Sequence, residues 1–219
     1  MMMSPTLRKI TYTTHITSSV AWIGAVIVFI AMAVIALTSQ DEATVRGAYL
    51  VMAPAAWFAL VPLAHASLLS GIVLSLGTTW GLVRHYWVVL KLAITVFCTV
   101  ILMIYMGTFR QMAGLAADPV VELNAVRNAS PLLHASIALV LLLVTTVLGV
   151  YKPFGMTAYG WRKQIEQGGT PSGAVLSQRP LRQHPVRTPL WVYAAGVLAI
   201  GLVLLVIVMH LLGRGMPHH

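Results

Sequence analysis

The 219-residue chain is 58% hydrophobic and only 9% charged, against roughly a quarter charged in an ordinary soluble domain, which excludes a water-soluble globule. Its net charge of +9 with His neutral comes without an aromatic-plus-basic stripe or a nucleic-acid motif, so it reads as membrane topology and excludes nucleic acid as a partner. The apolar residues fall in long blocks, so the lipid bilayer is the partner that explains them. The chain reads as one all-α integral membrane domain over 1–219, a polytopic bundle of five spans, four forming a core and one added.

The first span is expected at 16–37, preceded by Arg8 and Lys9; it is too long for a signal-peptide core and is retained. A polar turn over 38–46 leads to a second span at 48–76, interrupted by Pro54 and Pro62, which neighbouring helices make tolerable. The third span is expected at 86–106, and the loop 107–130 has room for a short interfacial helix. The fourth, 131–150, stops at Lys152 and Pro153. A Gly/Pro/Arg-rich stretch over 151–188 reads as a cytoplasmic loop before the fifth span at 189–212.

Ten Lys and Arg fall at the N-terminus, in the second and fourth loops and at Lys91, against four on the other side. The positive-inside rule then places the N-terminus in the cytoplasm and, after five crossings, the C-terminus outside a bacterial inner membrane. Trp80, Tyr86, Trp87, Tyr151 and Trp191 near span ends fit an aromatic belt. Cys98 is the sole cysteine, so no disulfide forms within the chain, and it reads as a small core residue.

Ionisable groups inside spans cost free energy to bury and are default functional candidates. Four histidines qualify: His15, His65, His85 and His134. His65 precedes Ser67, Gly71 and Ser75, small residues one turn apart that let another helix approach closely. His15, Ser18 or Ser19, and Trp22 share one helical face. Lys91 is near enough to the span edge to snorkel to the cytoplasmic surface; alternatively Lys91 and Arg84 pair with an anionic ligand such as a haem propionate or a quinone-site anion.

The pattern His15-x6-Trp22-x-Gly24, then Gly71, then His85-Tyr86-Trp87-Val88-Val89-Leu90-Lys91 resembles the copper-resistance D membrane family and related bacterial membrane proteins. That group is similar to small four-helix b-type cytochromes in placing histidines on bundle helices. A b-type haem needs two neutral imidazoles from different helices at nearly equal depth in an apolar slot. His15 with His65 is the first-choice pair, with His85 and His134 in reserve, although counting from the cytoplasmic end sets His65 about 16 Å deep at 1.5 Å per residue and His15 near the edge. The expectation is a small b-type haem protein for transmembrane electron transfer, a possible membrane oxidoreductase component with quinone or a redox protein as partner and homo-oligomerisation open.

Copper is the alternative, because thioether and imidazole ligands suit Cu(I). Met209, His210, Met216, His218 and His219 gather at the C-terminus. A structural subunit without a cofactor is the third reading. No phosphate loop, HExxH, nucleophile elbow or paired-carboxylate motif appears, and the five acidic residues all lie outside the spans, which disfavours carboxylate-driven proton coupling.

Overall fold

Physical patterning of the spans is realised in a computed structural model that describes residues 3–78, 81–153, 155–166 and, beyond them, 190–194, 197–198, 201, 204–205 and 208. The helices are α1 (Pro5–Thr38), α2 (Glu42–Ala55), α3 (Val61–Gly77), α4 (Tyr86–Ala117), α5 (Leu123–Val126), α6 (Ser130–Tyr151) and α7 (Ala158–Glu166), with a π-helical segment, Ala56–Leu60, joining α2 to α3. Among the described residues four stretches are long and apolar enough to cross a membrane: Pro5–Thr38, Glu42–Gly77, Tyr86–Ala117 and Leu123–Tyr151. The fifth expected span falls partly outside the described residues; those described between 190 and 208 are helical, and Trp191 packs against Trp87, Val88 and Leu148.

Helix α1 buries Ser18, Trp22, Val26, Phe29, Ala33 and Ala36, a near-3.5-residue spacing that keeps one seam facing its neighbours. It packs on α2, α3 and α6, while α4 packs on the same three, so α1 and α4 are diagonal. They meet across the bundle axis through Phe29 and Phe109, whose ring centroids are 5.6 Å apart.

The second crossing buries Met52, Ala56, Leu60 and Ala64, three successive steps of four residues. A plain α-helix would rotate that row off the seam, since three turns hold only about 10.8 residues. The π segment absorbs the surplus residue and keeps the row in line. Proline supplies the local cause: Pro62 has no N–H to offer the carbonyl one turn earlier.

The helix ends differ from the span ends expected on hydrophobicity. Helix α1 starts at Pro5, with Ser4 Oγ accepting from the Leu7 N–H at 3.4 Å in the usual Ser-Pro start. Helix α4 continues through 107–117, correcting the loop expected there, because Phe109, Met112 and Ala116 are buried against the core. The short helix expected in the remainder is α5.

Two arginines close the end of the bundle that carries the α1–α2 turn. Arg127 donates to the carbonyls of Leu37 (2.8 Å) and Ser39 (2.7 Å) at the end of α1. Arg46 donates to Asp118 O (2.8 Å) and Val121 O (2.6 Å) beyond the end of α4, and to Glu42 at 2.8 Å. Both guanidiniums thus cover orphan carbonyls at helix C-termini.

At the opposite end the segment after α6 is tied to the α3–α4 connection. Thr157 N–H donates to Arg84 O at 2.9 Å, and Tyr86 N–H to Gly155 O at 3.3 Å. Gly160 is required there because a Cβ would collide with the Arg84 backbone.

Candidate functional site

The small-residue row of α3 receives α1, as its spacing implies. Ser19 Oγ meets Ser67 Oγ at 2.7 Å, and the His15 ring rests on Gly71, where a Cβ would stand 3.0 Å from Cε1. His15 Nδ1 lies 3.0 Å from Ser67 O and 3.2 Å from Ser70 Oγ. A carbonyl only accepts, so Nδ1 carries the proton, and in the neutral ring Nε2 holds the lone pair. Ser70 directs its own O–H to Ala66 O at 2.5 Å, which leaves its oxygen as an acceptor for the imidazole.

Beside His15 the four crossings line a half-open cavity of ≈ 650 Å³. Four cationic side chains line it: Arg8 and Lys9 from α1, Lys91 from α4 and Lys152 at the end of α6. None of the chain's five carboxylates, Asp41, Glu42, Asp118, Glu122 and Glu166, is among its lining residues. The first four of these cluster at the other end of the bundle, and Glu166 is engaged by Lys163 at 3.0 Å. Two helix N-termini and two C-termini converge here, so the macrodipoles, about half a charge each, largely cancel and the side chains set the potential.

Lys91 is half-buried. Its Nζ lies against Gly149, where a Cβ would be only 2.7 Å away, two residues before the end of α6, so the ammonium reaches across to α6 close to the bundle end. Lys152 adopts left-handed backbone geometry (φ 43°, ψ 60°) as the C-cap of α6, with its N–H donating to Leu148 O at 3.1 Å. Leu68, Leu74, Trp87, Val88 and Leu92 form an apolar wall. Thr95 and Ser75, also lining it, direct their hydroxyls to the carbonyls of Lys91 and Gly71, at 2.8 Å each.

The other sequence-expected residues lie elsewhere. His65 is close to His15 in depth, since its near neighbour Ser67 touches that ring; the expected offset vanishes because α1 begins at Pro5. Its Nδ1, however, is bonded to Val61 O of its own helix at 2.8 Å, and it does not line the cavity. His134 is fifteen residues before Gly149 on α6, about 22 Å at 1.5 Å per residue. It is bonded to Ser130 O at 2.9 Å and packs on Tyr105 with ring centroids 4.4 Å apart. Tyr105 in turn donates to Ser130 Oγ at 2.8 Å.

His85 caps α4 and lies 6.4 Å from the Trp87 ring, and Arg84 packs over Gly81; neither lines the cavity. Among the described residues no group of three or more His, Cys, Asp or Glu is placed to hold a metal ion. Met209, His210, Met216, His218 and His219, the residues of the copper alternative, lie outside the described residues.

Of the expected site, then, His15 and Lys91 come together and the remaining four residues do not. Arg8, Lys9 and Lys152 were counted for topology alone, and Gly149 carried no signal in sequence. The clue to the first three was arithmetic: the basic side holds ten cations and one carboxylate, too few partners for ordinary ion pairing. Comparison with models of known protein families, with curated proteins and with solved structures finds no match.

Proposed function

We propose that this chain is a multi-pass membrane protein that binds an anionic amphiphile in the His15–Lys91 cavity, at the cytoplasmic side of a bacterial inner membrane. The observation that carries the reading is four cationic side chains, with no carboxylate, around a cavity that also has an apolar wall. Buried charges are normally paired. Arg8, Lys9 and Lys152 are exposed, and Lys91 is half-buried against Gly149 in a lining that holds no carboxylate, so Lys91 is the cation that an anionic head group would serve. A volume of ≈ 650 Å³ is in the range of small-molecule sites. Cytoplasmic placement follows from the positive-inside rule.

Native mass spectrometry of the protein released from a neutral detergent tests this. Phosphatidylglycerol adducts should be retained over phosphatidylcholine adducts by about fivefold, the factor for an ion pair worth about 1 kcal/mol. The preference should shrink in Lys91→Gln and return in Lys91→Arg. Equal retention of the two lipids sinks the reading.

A second reading keeps the b-type haem and transmembrane electron transfer. It is favoured by the Nδ1 proton of His15 being held on a carbonyl, which is how metal-ligating imidazoles are oriented, and by cations suited to propionates. His15 would supply one axial position through Nε2, with Lys91 and Lys152 near the carboxylates. Among the described residues neither His65 nor His134 lines the cavity, so the fit extends to one imidazole. A reduced-minus-oxidised spectrum that loses its Soret and alpha bands in His15→Ala supports this reading, and a wild-type protein without a Soret band ends it.

A further inference from the structure

Resting on the anionic-amphiphile reading, we propose that the cavity selects a head group that brings hydroxyl donors of its own beside its anionic oxygens, a polyol in preference to an acceptor-only anion. The fixed ring of His15 points there first. Its Nδ1 proton is committed to α3, at 3.0 Å from Ser67 O and 3.2 Å from Ser70 Oγ, and the ring rests on Gly71. The two nitrogens of an imidazole point to nearly opposite sides, so Nε2 is turned away from Ser67 O, and His15 lines the cavity. In the neutral ring that nitrogen accepts and has nothing to donate.

Two hydroxyls on other walls have the same polarity. Ser75 Oγ on α3 donates to Gly71 O and Thr95 Oγ1 on α4 donates to Lys91 O, each at 2.8 Å, and both residues line the cavity. A hydroxyl has one proton and two lone pairs, so each has only lone pairs left to offer a ligand. Giving the proton to a carbonyl also makes the oxygen a better acceptor. Three helices thus each supply an uncharged acceptor, and the half-buried donor among them is Lys91, seated against Gly149.

A head group that enters displaces the water on these atoms. A carboxylate or a simple alkyl phosphate has acceptor oxygens alone, so it serves Lys91 and leaves the three acceptors without donors, which costs the free energy of unpaired polar atoms. A hydroxylated anion serves both sets. Sites that hydrogen-bond a ligand's O–H reject the analogue lacking it for this reason. The apolar wall of Leu68, Leu74, Val88 and Leu92 then takes the chain on which the head group is carried.

The test uses the full chain in phosphatidylcholine nanodiscs doped separately with phosphatidylglycerol or phosphatidylpropanol. These lipids share one negative charge and a three-carbon head, and only the first has hydroxyls. Soluble glycerol phosphate is a third probe. Phosphatidylglycerol should be retained over phosphatidylpropanol by about fivefold, with little thermal stabilisation by glycerol phosphate. If the two lipids are retained equally, both above phosphatidylcholine, the hydroxyl assignment fails while the anionic-amphiphile reading stands. If neither exceeds phosphatidylcholine, both fail. Stabilisation by glycerol phosphate equal to that by phosphatidylglycerol overturns the lipid source.

Two variants assign the acceptors. His15→Phe keeps a ring against Gly71 without Nε2, and should bring the ratio of the two lipids close to one. Because that change also removes the bond to α3, Thr95→Val is the second variant, a swap of nearly equal volume that should lower the ratio about twofold. A wild-type ratio in both, or in Thr95→Val where His15→Phe does not fold, overturns the assignment.

Discussion

Gly71 and Gly149 each face a side chain on which the cavity is built, and the two contacts differ in what can yield. At Gly71 a new Cβ would stand 3.0 Å from His15 Cε1 and 3.4 Å from Nδ1. The imidazole is a rigid ring held by Ser67 O and Ser70 Oγ, so it moves only by stretching those bonds or parting α1 from α3. Gly71→Ala should therefore cost about 1–2 kcal/mol of stability, in the range of overpacking, seen as a lower melting temperature. At Gly149 the obstructed atom is Nζ of Lys91, 2.7 Å from the new Cβ, the free end of a flexible chain. Gly149→Ala should change stability by no more than about 0.5 kcal/mol and still reduce retention of anionic lipid, because the ammonium leaves its seat. A Gly149→Ala protein that melts like wild type and retains anionic lipid like wild type would show that Nζ does not hold the ligand. Lys152 belongs to the same scale: a non-glycine residue at φ 43° carries strain of about 1 kcal/mol, so Lys152→Gly should raise the melting temperature.

At the scale of elements, the helix ends make two predictions. Asp41 caps α2, its Oδ2 accepting from Thr44 Oγ1 at 2.5 Å and from Thr44 N–H at 2.9 Å. The Thr44 hydroxyl first, and the Thr44 N–H second, hold the Asp41 carboxyl below the ordinary aspartate value. A depressed folded value means that the cap contributes fully above that ordinary value and is lost as pH falls through the lower one. Asp41→Asn, which keeps an oxygen acceptor, should flatten this acid limb of the melting-temperature profile below the ordinary aspartate value of about 3.9. A wild-type carboxyl that titrates at or above the ordinary aspartate value by NMR removes the basis for it. Arg127 makes the second case, since its two short bonds cap the end of α1. With charged hydrogen bonds worth about 1.5–3 kcal/mol, Arg127→Ala should lose about 3 kcal/mol, and Arg127→Lys should recover only part because an ammonium lacks the fork. A thermal melt of the two variants side by side decides it.

These same ends explain which parts of the fold were legible in sequence. Apolar blocks report where lipid is, so 131–150 lies within one residue of α6 at each end, and the four core crossings were readable. They do not report where a helix stops. Helix α1 starts eleven residues before its expected span, at Pro5, on Ser-Pro capping that precedes the apolar block, and α4 outlasts its span because Phe109 and Met112 still find a core. The π segment was hidden for a related reason: Pro54 and Pro62 signalled an interruption, but only the buried row Met52, Ala56, Leu60, Ala64 reveals an inserted residue. The site was half legible. Buried polar residues singled out His15 and Lys91, whereas Arg8, Lys9 and Lys152 enter the cavity through the convergence of helix ends far apart in sequence, which periodicity does not encode.

For the whole molecule, charge is segregated end to end. Asp41, Glu42, Asp118 and Glu122 lie at the end holding the α1–α2 turn and α5, and the two described arginines capping helices there, Arg46 and Arg127, are tied to backbone carbonyls. The other end carries Arg8, Lys9, Lys91, Lys152, Arg162 and Lys163, which the positive-inside rule assigns to the cytoplasm. The cavity opens among these cations, so its orientation decides which leaflet the proposed anionic amphiphile would come from. Cys98 is buried, so the wild-type chain is a silent background for thiol labelling. Gln40→Cys, at an exposed position in the α1–α2 turn, should react with a membrane-impermeant maleimide in intact spheroplasts. Val83→Cys, 51% exposed in the α3–α4 connection, should react only after permeabilisation. The reverse pattern would put the cationic cavity on the outer face and remove the inner leaflet as the source of the proposed ligand.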